Sequence, residues 1–394
     1  MATPTLAVLL VAGAASLFMA WAIGAGSSGS TPFAPAVGAN AISILRAGFV
    51  VGILGLLGAV LQGANVTEAV GQELVVGEPL GATAAVIGLV VAATLVAVGI
   101  FAGYPIATAF TVTGAVVGVG LASGGAPAWA KYQQIGALWV LTPVIGGGLS
   151  YGTARLLRAE SVPERVAVPV LGGLVGLLLA NIGFVLLGPP DEQTSVATAV
   201  AVAVDGGLAA AAGASLLVAL LVAGVLAYDM RASGPAASQR HFLLALGGLV
   251  AFSAGGSQVG LALGPLVPLT GSLELPLVAL LFGGGLGLLV GSWTGAPRMI
   301  KALSQDYSSL GPRRSIAALI PSFAIAQTAV FFGIPVSFNE IIVSAIIGSG
   351  YAASGAGGEV SGAKMGYTVL AWVGSLVGAF AVSYGAFLGV SAVL

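Results

Sequence analysis

Four short polar clusters interrupt an otherwise apolar chain, and their hydroxyl and amide side chains could hold a dehydrated polar ligand, an anion among them. Ser27, Ser28, Ser30 and Thr31 follow Gly26 in one glycine-rich run, and Ser257 and Gln258 follow Gly255 and Gly256 in another. Thr108 and Thr111 come shortly after Pro105, as Ser337 and Asn339 come shortly after Pro335. Hydroxyl and amide groups donate hydrogen bonds without carrying charge, and a broken helix adds free N–H groups and the positive end of its dipole. Such donors are needed because an anion stripped of water is very costly to bury without compensation. No Arg or Lys falls within the clusters, which favours neutral donors and suits a site that must release its ligand each cycle. Any single hydroxyl has an ordinary alternative in a bond to its own helix carbonyl, so the reading rests on the four clusters together.

Three acidic residues stand apart. Glu340 lies shortly after Pro335 inside an apolar segment, where an ionisable group is expensive and is a functional candidate by default. It could bind a cation or carry a proton, and its carboxylate would repel an oxyanion unless one of these came too, which is a physical basis for symport. The alternative is a Glu neutralised by hydrogen bonds or placed at the membrane interface. Asp205 sits in an Ala/Val-rich stretch expected to form one long helix over 196–228, near its outer end. Glu68 is expected at a membrane boundary, in gating or as an interfacial anchor.

The segments that carry these residues occur twice. Gly103 to Gly120 and Gly333 to Gly350 share Gly103/Gly333, Pro105/Pro335, Ala115/Ala345, Gly118/Gly348 and Gly120/Gly350, and the same offset of 230 residues pairs Gly26 with Gly256, Ser27 with Ser257 and Pro35 with Pro265. One register kept over so long a stretch implies a duplicated membrane unit, the architecture of many secondary transporters.

Composition agrees. Hydrophobic residues make up 58% of the 394 and charged residues 6%, with a mean hydropathy of +1.09, which excludes a water-soluble domain. The 62 glycines suit close helix packing in lipid. A net charge of −1 offers no basic surface for nucleic acid, the absence of Cys removes disulfides and thiolate metal sites, and a lone His241 cannot build a histidine-rich metal centre. No HExxH, no GxSxG with partners and no paired intramembrane aspartates are legible, so an enzyme is not expected. Trp21, Trp129, Trp139, Trp293 and Trp372 read as interface or packing residues.

Apolar segments at about 5–24, 41–62, 79–101, 135–157, 168–188, 196–228, 240–264, 273–296, 314–332 and 366–392 are long enough to span a bilayer, and shorter ones follow the two Gly-Pro signals at about 105–122 and 335–351. The expected fold is therefore an all-α polytopic membrane protein of about twelve helical segments, some broken or re-entrant. The first segment has no basic residues before it and reads as a retained span. Loops near 155–167, 229–240 and 297–314 hold Arg155, Arg158, Arg165, Arg231, Arg240, Arg298, Lys301, Arg313 and Arg314, nine of the twelve Lys and Arg, and belong on the cytoplasmic side. The loop 63–78, with Glu68, Glu73 and Glu78, falls outside, as does the Asp191–Glu192 turn. At the 230-residue offset that acidic loop corresponds to the basic loop 297–314, so equivalent positions lie on opposite faces. Residues 1–157 and 235–394 are thus expected to form two inverted-topology repeats, bridged by a helix pair within 158–234.

The marks FAPAVGAN at 33–40, GAVLQGANVTEAV at 58–70, GYPIATAFTVTGAVVGVGL at 103–121, LWVLTPVIGGGLSYG at 138–152, ALGPL at 262–266 and GIPVSFNEIIVSAIIGSG at 333–350 are similar to the repeats of the inorganic phosphate transporter (PiT) family. That family carries a GAND signature loop in each half, a V-T-E motif in the first, and a G-[LI]-P-V-S-T-T-H segment. The resemblance covers both repeats and implies a plasma-membrane permease for inorganic phosphate, a cation-coupled symporter using sodium or protons, with membrane lipid around it and a homodimeric assembly. Glu68 matches the V-T-E glutamate. The departures are specific: Ser27-Ser28 and Ser257-Gln258 stand where the family has Asn-Asp, and Ala107-Thr108-Ala109-Phe110 and Ser337-Phe338-Asn339-Glu340 where it has Ser-Thr-Thr-His. Both signature aspartates, associated in the family with the coupling cation, are missing, and sulfate or another oxyanion, or a passive anion channel, stay open as alternatives.

Overall fold

The computed structural model describes residues 6–77, 79–184, 187, 193–270, 275–305, 307, 310–352 and 362–393, the side chains of residues 363 and 364 excepted. The expectations placed on Glu78, Asp191 and Glu192 fall outside them.

In chain order the helices are α1 (Leu6–Ile23), α2 (Ala34–Gly38), α3 (Ile44–Gln62), α4 (Ala64–Gln72), α5 (Ala82–Ala102), α6 (Thr108–Ala122), α7 (Trp129–Arg158), α8 (Glu164–Asn181), α9 (Val196–Ala203), α10 (Gly207–Ala232), α11 (Pro235–Leu263), α12 (Val267–Thr270), α13 (Leu277–Thr294), α14 (Ala296–Gln305), α15 (Pro312–Phe331), α16 (Phe338–Tyr351) and α17 (Gly362–Ser391). Among the described residues, sheet is confined to two antiparallel pairings of two-residue strands, β1 (Val75–Val76) with β2 (Ala126–Pro127) and β3 (Gly183–Phe184) with β4 (Thr194–Ser195). Among the described residues, ten helices are long and apolar enough to cross a membrane. In lipid every backbone polar group must be satisfied internally, which a helix does and an open strand does not. The protein is an all-α, multi-pass membrane protein. With α6 and α16, which at 15 and 14 residues are too short to cross about 30 Å at about 1.5 Å per residue, the ten spans account for the twelve apolar segments read from the sequence.

The 230-residue offset is an offset of elements as well as residues. It carries α1 onto α11, α3 onto α13, α4 onto α14, α5 onto α15, α6 onto α16 and α7 onto α17. Packing repeats too: α1 lies on α5 as α11 lies on α15, and α5 lies on α6 as α15 lies on α16. The short helices then cross over, α6 packing on α17 and α16 on α7, so each half's short helix is sheltered by the other half's last helix.

Three expectations are corrected. The segment 196–228 is two helices, because Asp205 and Gly207 take positive φ (51° and 54°) and turn the chain between α9 and α10. The described residues of 158–234 therefore contain three helices, α8, α9 and α10, of which α8 and α10 are long and apolar enough to span a membrane. The regions 63–78 and 297–314, read as loops, contain the short helices α4 and α14; α14 buries Met299, Ile300 and Leu303 while Arg298 stays exposed, an amphipathic pattern that a search for long apolar runs passes over. Third, the second glycine-rich run does not break. Helix α11 runs unbroken through Gly255–Gln258 and ends only at a tight turn over Gly264–Leu266. Gly255 serves packing there: a Cβ on it would collide with the Gly55 carbonyl of α3.

Asp205 is exposed at its turn. Asn tolerates the same left-handed backbone, so Asp205→Asn should leave transport within about twofold of the parent and stability within about 0.5 kcal/mol, measured as uptake and as the melting midpoint in detergent.

Candidate functional site

The two Gly-Pro segments set the geometry. Helices α5 and α15 end at Gly103 and Gly333, both with positive φ (76° and 58°), a conformation that favours glycine and lets the chain double back. Three or four residues of extended chain follow, and α6 and α16 begin deep in the protein. Ser337 is the N-cap of α16, its Oγ accepting from Glu340 N at 3.5 Å. The first N–H groups of each short helix have no partner within the helix, so the two N-termini bring uncommitted donors and positive dipole ends into the interior.

The extended stretches are held by donors from elsewhere in the fold. Trp372 Nε1 donates to Pro105 O at 2.8 Å and Trp139 Nε1 to Pro335 O at 2.9 Å. The next carbonyls are taken by amides: Asn339 Nδ2 donates to Ile106 O at 2.7 Å, and Gln258 Nε2 to Val336 O at 2.5 Å. Pro105 and Ile106 are the offset partners of Pro335 and Val336, so equivalent backbone positions are braced in the same way on both sides. Trp139 also stacks on Phe110, with ring centroids 3.8 Å apart. These two tryptophans, read as packing residues from sequence, act as clamps on the turns.

Gln258 is the hub. Its Oε1 accepts from Thr108 Oγ1 at 2.7 Å and from Ser27 Oγ at 3.2 Å, and Thr108 Oγ1 lies 3.4 Å from Ser27 Oγ. Asn339 closes the other side by donating to Gly26 O at 2.9 Å. One residue from each of the four sequence clusters, Ser27, Thr108, Gln258 and Asn339, is therefore drawn into one buried hydrogen-bonded junction, every one of them fully buried. Helix α1 prepares its part by loosening into a π-helical turn over Gly24–Ser28, a widened helical turn of the kind that accompanies functional sites.

Not every predicted residue contributes equally. Ser28 reaches Ile23 O at 3.5 Å, Thr31 donates to Ser27 O at 3.0 Å, and Thr111 to Ala107 O at 3.0 Å, so these hydroxyls are spent on their own backbone beside the junction. Ser337 is a cap. Glu68 sits on the exposed face of α4 and is not part of the junction. By contrast, Ser257 Oγ, Asn339 Oδ1 and Glu340 Oε2 are buried with no hydrogen-bond partner among the described residues. A buried polar atom left without a partner costs about 1–3 kcal/mol, and these three lie on residues at or beside the junction, Ser257 next to Gln258 and Glu340 next to Asn339. Glu340 is 2% exposed and forms no ion pair among the described residues.

Sequence reasoning passed over a second polar group. Gln62 and Gln327, with Ser253, form a buried amide network on the face opposite the basic loops. A polar side chain deep in an apolar span was the available signal.

A model of the phosphate transporter family matches residues 23–383. The inorganic phosphate transporter 2-1, chloroplastic, of Arabidopsis thaliana is 24% identical over 379 residues, covering 85% of this chain and 64% of that one, so the chain spans somewhat less than two thirds of that relative's length. A Thermococcus kodakarensis protein named "Putative phosphate permease" is 26% identical over 366 residues, covering 85% of this chain and 86% of that one. A solved structure described as the sodium-dependent phosphate transporter superimposes with a TM-score of 0.83 at 22% identity, covering 99% of this chain and all of that chain, which establishes the shared fold. The family match takes in both Gly-Pro segments, all four polar clusters and Glu340, and by it the chain belongs to the phosphate transporter family.

Proposed function

We propose that this protein is a plasma-membrane permease for inorganic phosphate that works by alternating access of two inverted repeats, 1–157 and 235–394, joined by the bridge 158–234. Ser27, Thr108, Gln258 and Asn339 hold the anion together with Ser257 and the N-termini of α6 and α16; Ser28, Thr31, Thr111 and Ser337 shape the backbone that presents them. Glu340 carries the coupling cation, sodium or a proton. The observation that carries the reading is the junction itself: amides from the second half, Gln258 and Asn339, are bonded to side chains and carbonyls of the first, Ser27, Thr108, Gly26 and Ile106. A ligand bound there touches both halves at once, so a movement of one half against the other would change which side of the membrane the ligand meets.

Phosphate is preferred to sulfate for a reason of chemistry. At neutral pH phosphate keeps a proton that a protein acceptor can receive, and sulfate has none. Gln258 Oε1 already accepts two hydrogen bonds, whereas Asn339 Oδ1 accepts none, so Asn339 is the acceptor assigned to that proton. Purified protein in proteoliposomes should accumulate radiolabelled phosphate against its gradient when sodium or protons are driven inward, with sulfate competing poorly. Phosphate that only equilibrates would mean a channel, and an absence of uptake under every gradient would reject the permease reading.

A further inference from the structure

Helix α16 carries two side-chain oxygens, one turn apart, that share an unusual condition. Glu340 Oε2 and Ser344 Oγ are both buried without a hydrogen-bond partner among the described residues, on residues only 2% and 3% exposed. Residues four apart in a helix lie on one face with Cβ atoms about 5–6 Å from each other, so the two side chains are neighbours. Ser344 also departs from the habit of helix hydroxyls in this chain. Ser292 donates to Leu288 O at 2.8 Å, Ser322 to Ala318 O at 2.7 Å and Thr328 to Ala324 O at 2.9 Å, and on α16 itself Ser349 donates to Ile346 O at 2.9 Å. Such a bond is the ordinary way for an apolar helix to absorb a hydroxyl, and Ser344 does not make it.

The duplication shows that a short helix of this kind folds without the pair. At the 230-residue offset Glu340 becomes Phe110 and Ser344 becomes Gly114. Phe110 stacks on Trp139, and Gly114 admits α17, since a Cβ there would come within 2.3 Å of Leu376 O. The same turn that packs in α6 holds two oxygens in α16. An unpaired polar atom costs about 1–3 kcal/mol when buried, so two on one face call for a ligand that satisfies both.

The donor set defines that ligand. Glu340 is the only carboxylate among the buried described residues, and its neighbours Asn339 and Ser337 are neutral. One negative charge among neutral oxygens balances a monovalent cation, whereas a divalent ion would leave a positive charge uncompensated in a desolvated place. A proton would be satisfied by the carboxylate alone and would leave Ser344 unused. A hard metal ion instead gathers several oxygens, for which a hydroxyl offers its lone pairs.

We propose that Glu340 and Ser344 are two ligands of one sodium site on α16, beside the anion junction. The inference rests on the permease reading for what the ion is coupled to, though not for its binding. Sodium held there neutralises Glu340 one residue from Asn339, whose amide joins the two halves at Gly26 O and Ile106 O, so the ion acts where the anion would bind.

Binding is read without phosphate and without transport. Purified protein in detergent is melted over a range of sodium chloride concentrations, with choline chloride keeping the ionic strength constant. Sodium should raise the melting midpoint of the parent above its value in choline. Ser344→Ala should need at least about tenfold more sodium for half of that rise, a loss of the size usual when a metal site is disturbed. Ser349→Ala, which removes a hydroxyl of the same helix that is already bonded, should keep the half-point of the parent, and Glu340→Gln should lose the response. The midpoint of each variant in choline alone reports its folding, so a destabilised variant is still read from its sodium dependence. A parent that melts alike in sodium and choline would overturn the proposal, as would Ser344→Ala with an unchanged half-point. The expected sodium response in a protein that accumulates no phosphate would keep the site and reject the permease reading, and proton-driven accumulation without a sodium response would do the reverse.

Discussion

Glu340→Gln should abolish concentrative phosphate uptake or cut it by at least about tenfold, while phosphate exchange across the membrane at equal cation concentrations persists. A carboxylate and a monoanion about 5 Å apart repel by roughly 3 kcal/mol at an effective dielectric near 20, so the charged Glu340 cannot share the junction with phosphate unless a cation joins them. That repulsion ties anion to cation in the parent protein. Glutamine keeps the size and the hydrogen-bonding reach of the side chain and removes the charge, so phosphate no longer needs a companion and the cation gradient no longer drives it. The measurement is uptake into proteoliposomes under an imposed sodium or proton gradient, beside exchange of labelled for unlabelled phosphate without one. Uptake equal to that of the parent would remove Glu340 from the mechanism. Loss of exchange together with uptake would place it in anion binding or folding, a distinction that the melting midpoint then decides.

The second large effect is expected at Gln258. Its carboxamide is the common partner of Ser27 and Thr108 and the donor to Val336 O, so Gln258→Ala deletes the group on which three segments converge. Each buried hydrogen bond lost costs about 1 kcal/mol, and the groups left unpaired cost more, so a loss of about 3 kcal/mol in stability and a fall of roughly a hundredfold in phosphate affinity are expected. Thermal unfolding in detergent and phosphate-concentration dependence of uptake read these separately. Gln258→Glu is more informative still. A carboxylate can accept from Ser27 and Thr108 but cannot donate to Val336 O, and it adds a charge facing the anion. Uptake by this variant should become more steeply dependent on the coupling cation, because a second carboxylate now needs neutralising. A Gln258→Glu protein with unchanged cation dependence would show that position 258 does not face the ligand.

How much of this was legible in one dimension follows from what each feature depends on. The membrane class, the twelve apolar segments and the duplicated unit were readable because lipid demands long apolar runs and because duplication preserves register, as Gly103/Gly333 and Pro105/Pro335 do. The helix starts at Thr108 and Ser337 were readable from Gly and Pro, whose backbone preferences are local. The break between α9 and α10 was written locally too, in the turn signal Asp205-Gly206-Gly207, but the long apolar run on either side of it reads as one continuous span. The continuity of α11 through Gly255 and Gly256 was not readable: glycine permits both a kink and close packing, and the choice between them was made by the backbone of α3 at Gly55. Polar residue types nominated Ser27, Thr108, Gln258 and Asn339 together with Ser28, Thr31 and Thr111, and only the assembled fold divided them into side chains that cross between halves and side chains that bond their own carbonyls. Helix identity is decided over a few residues and so is written along the chain. The junction partners of these side chains lie 78 to 313 residues away along the chain, and those distances exist only once the helices have packed.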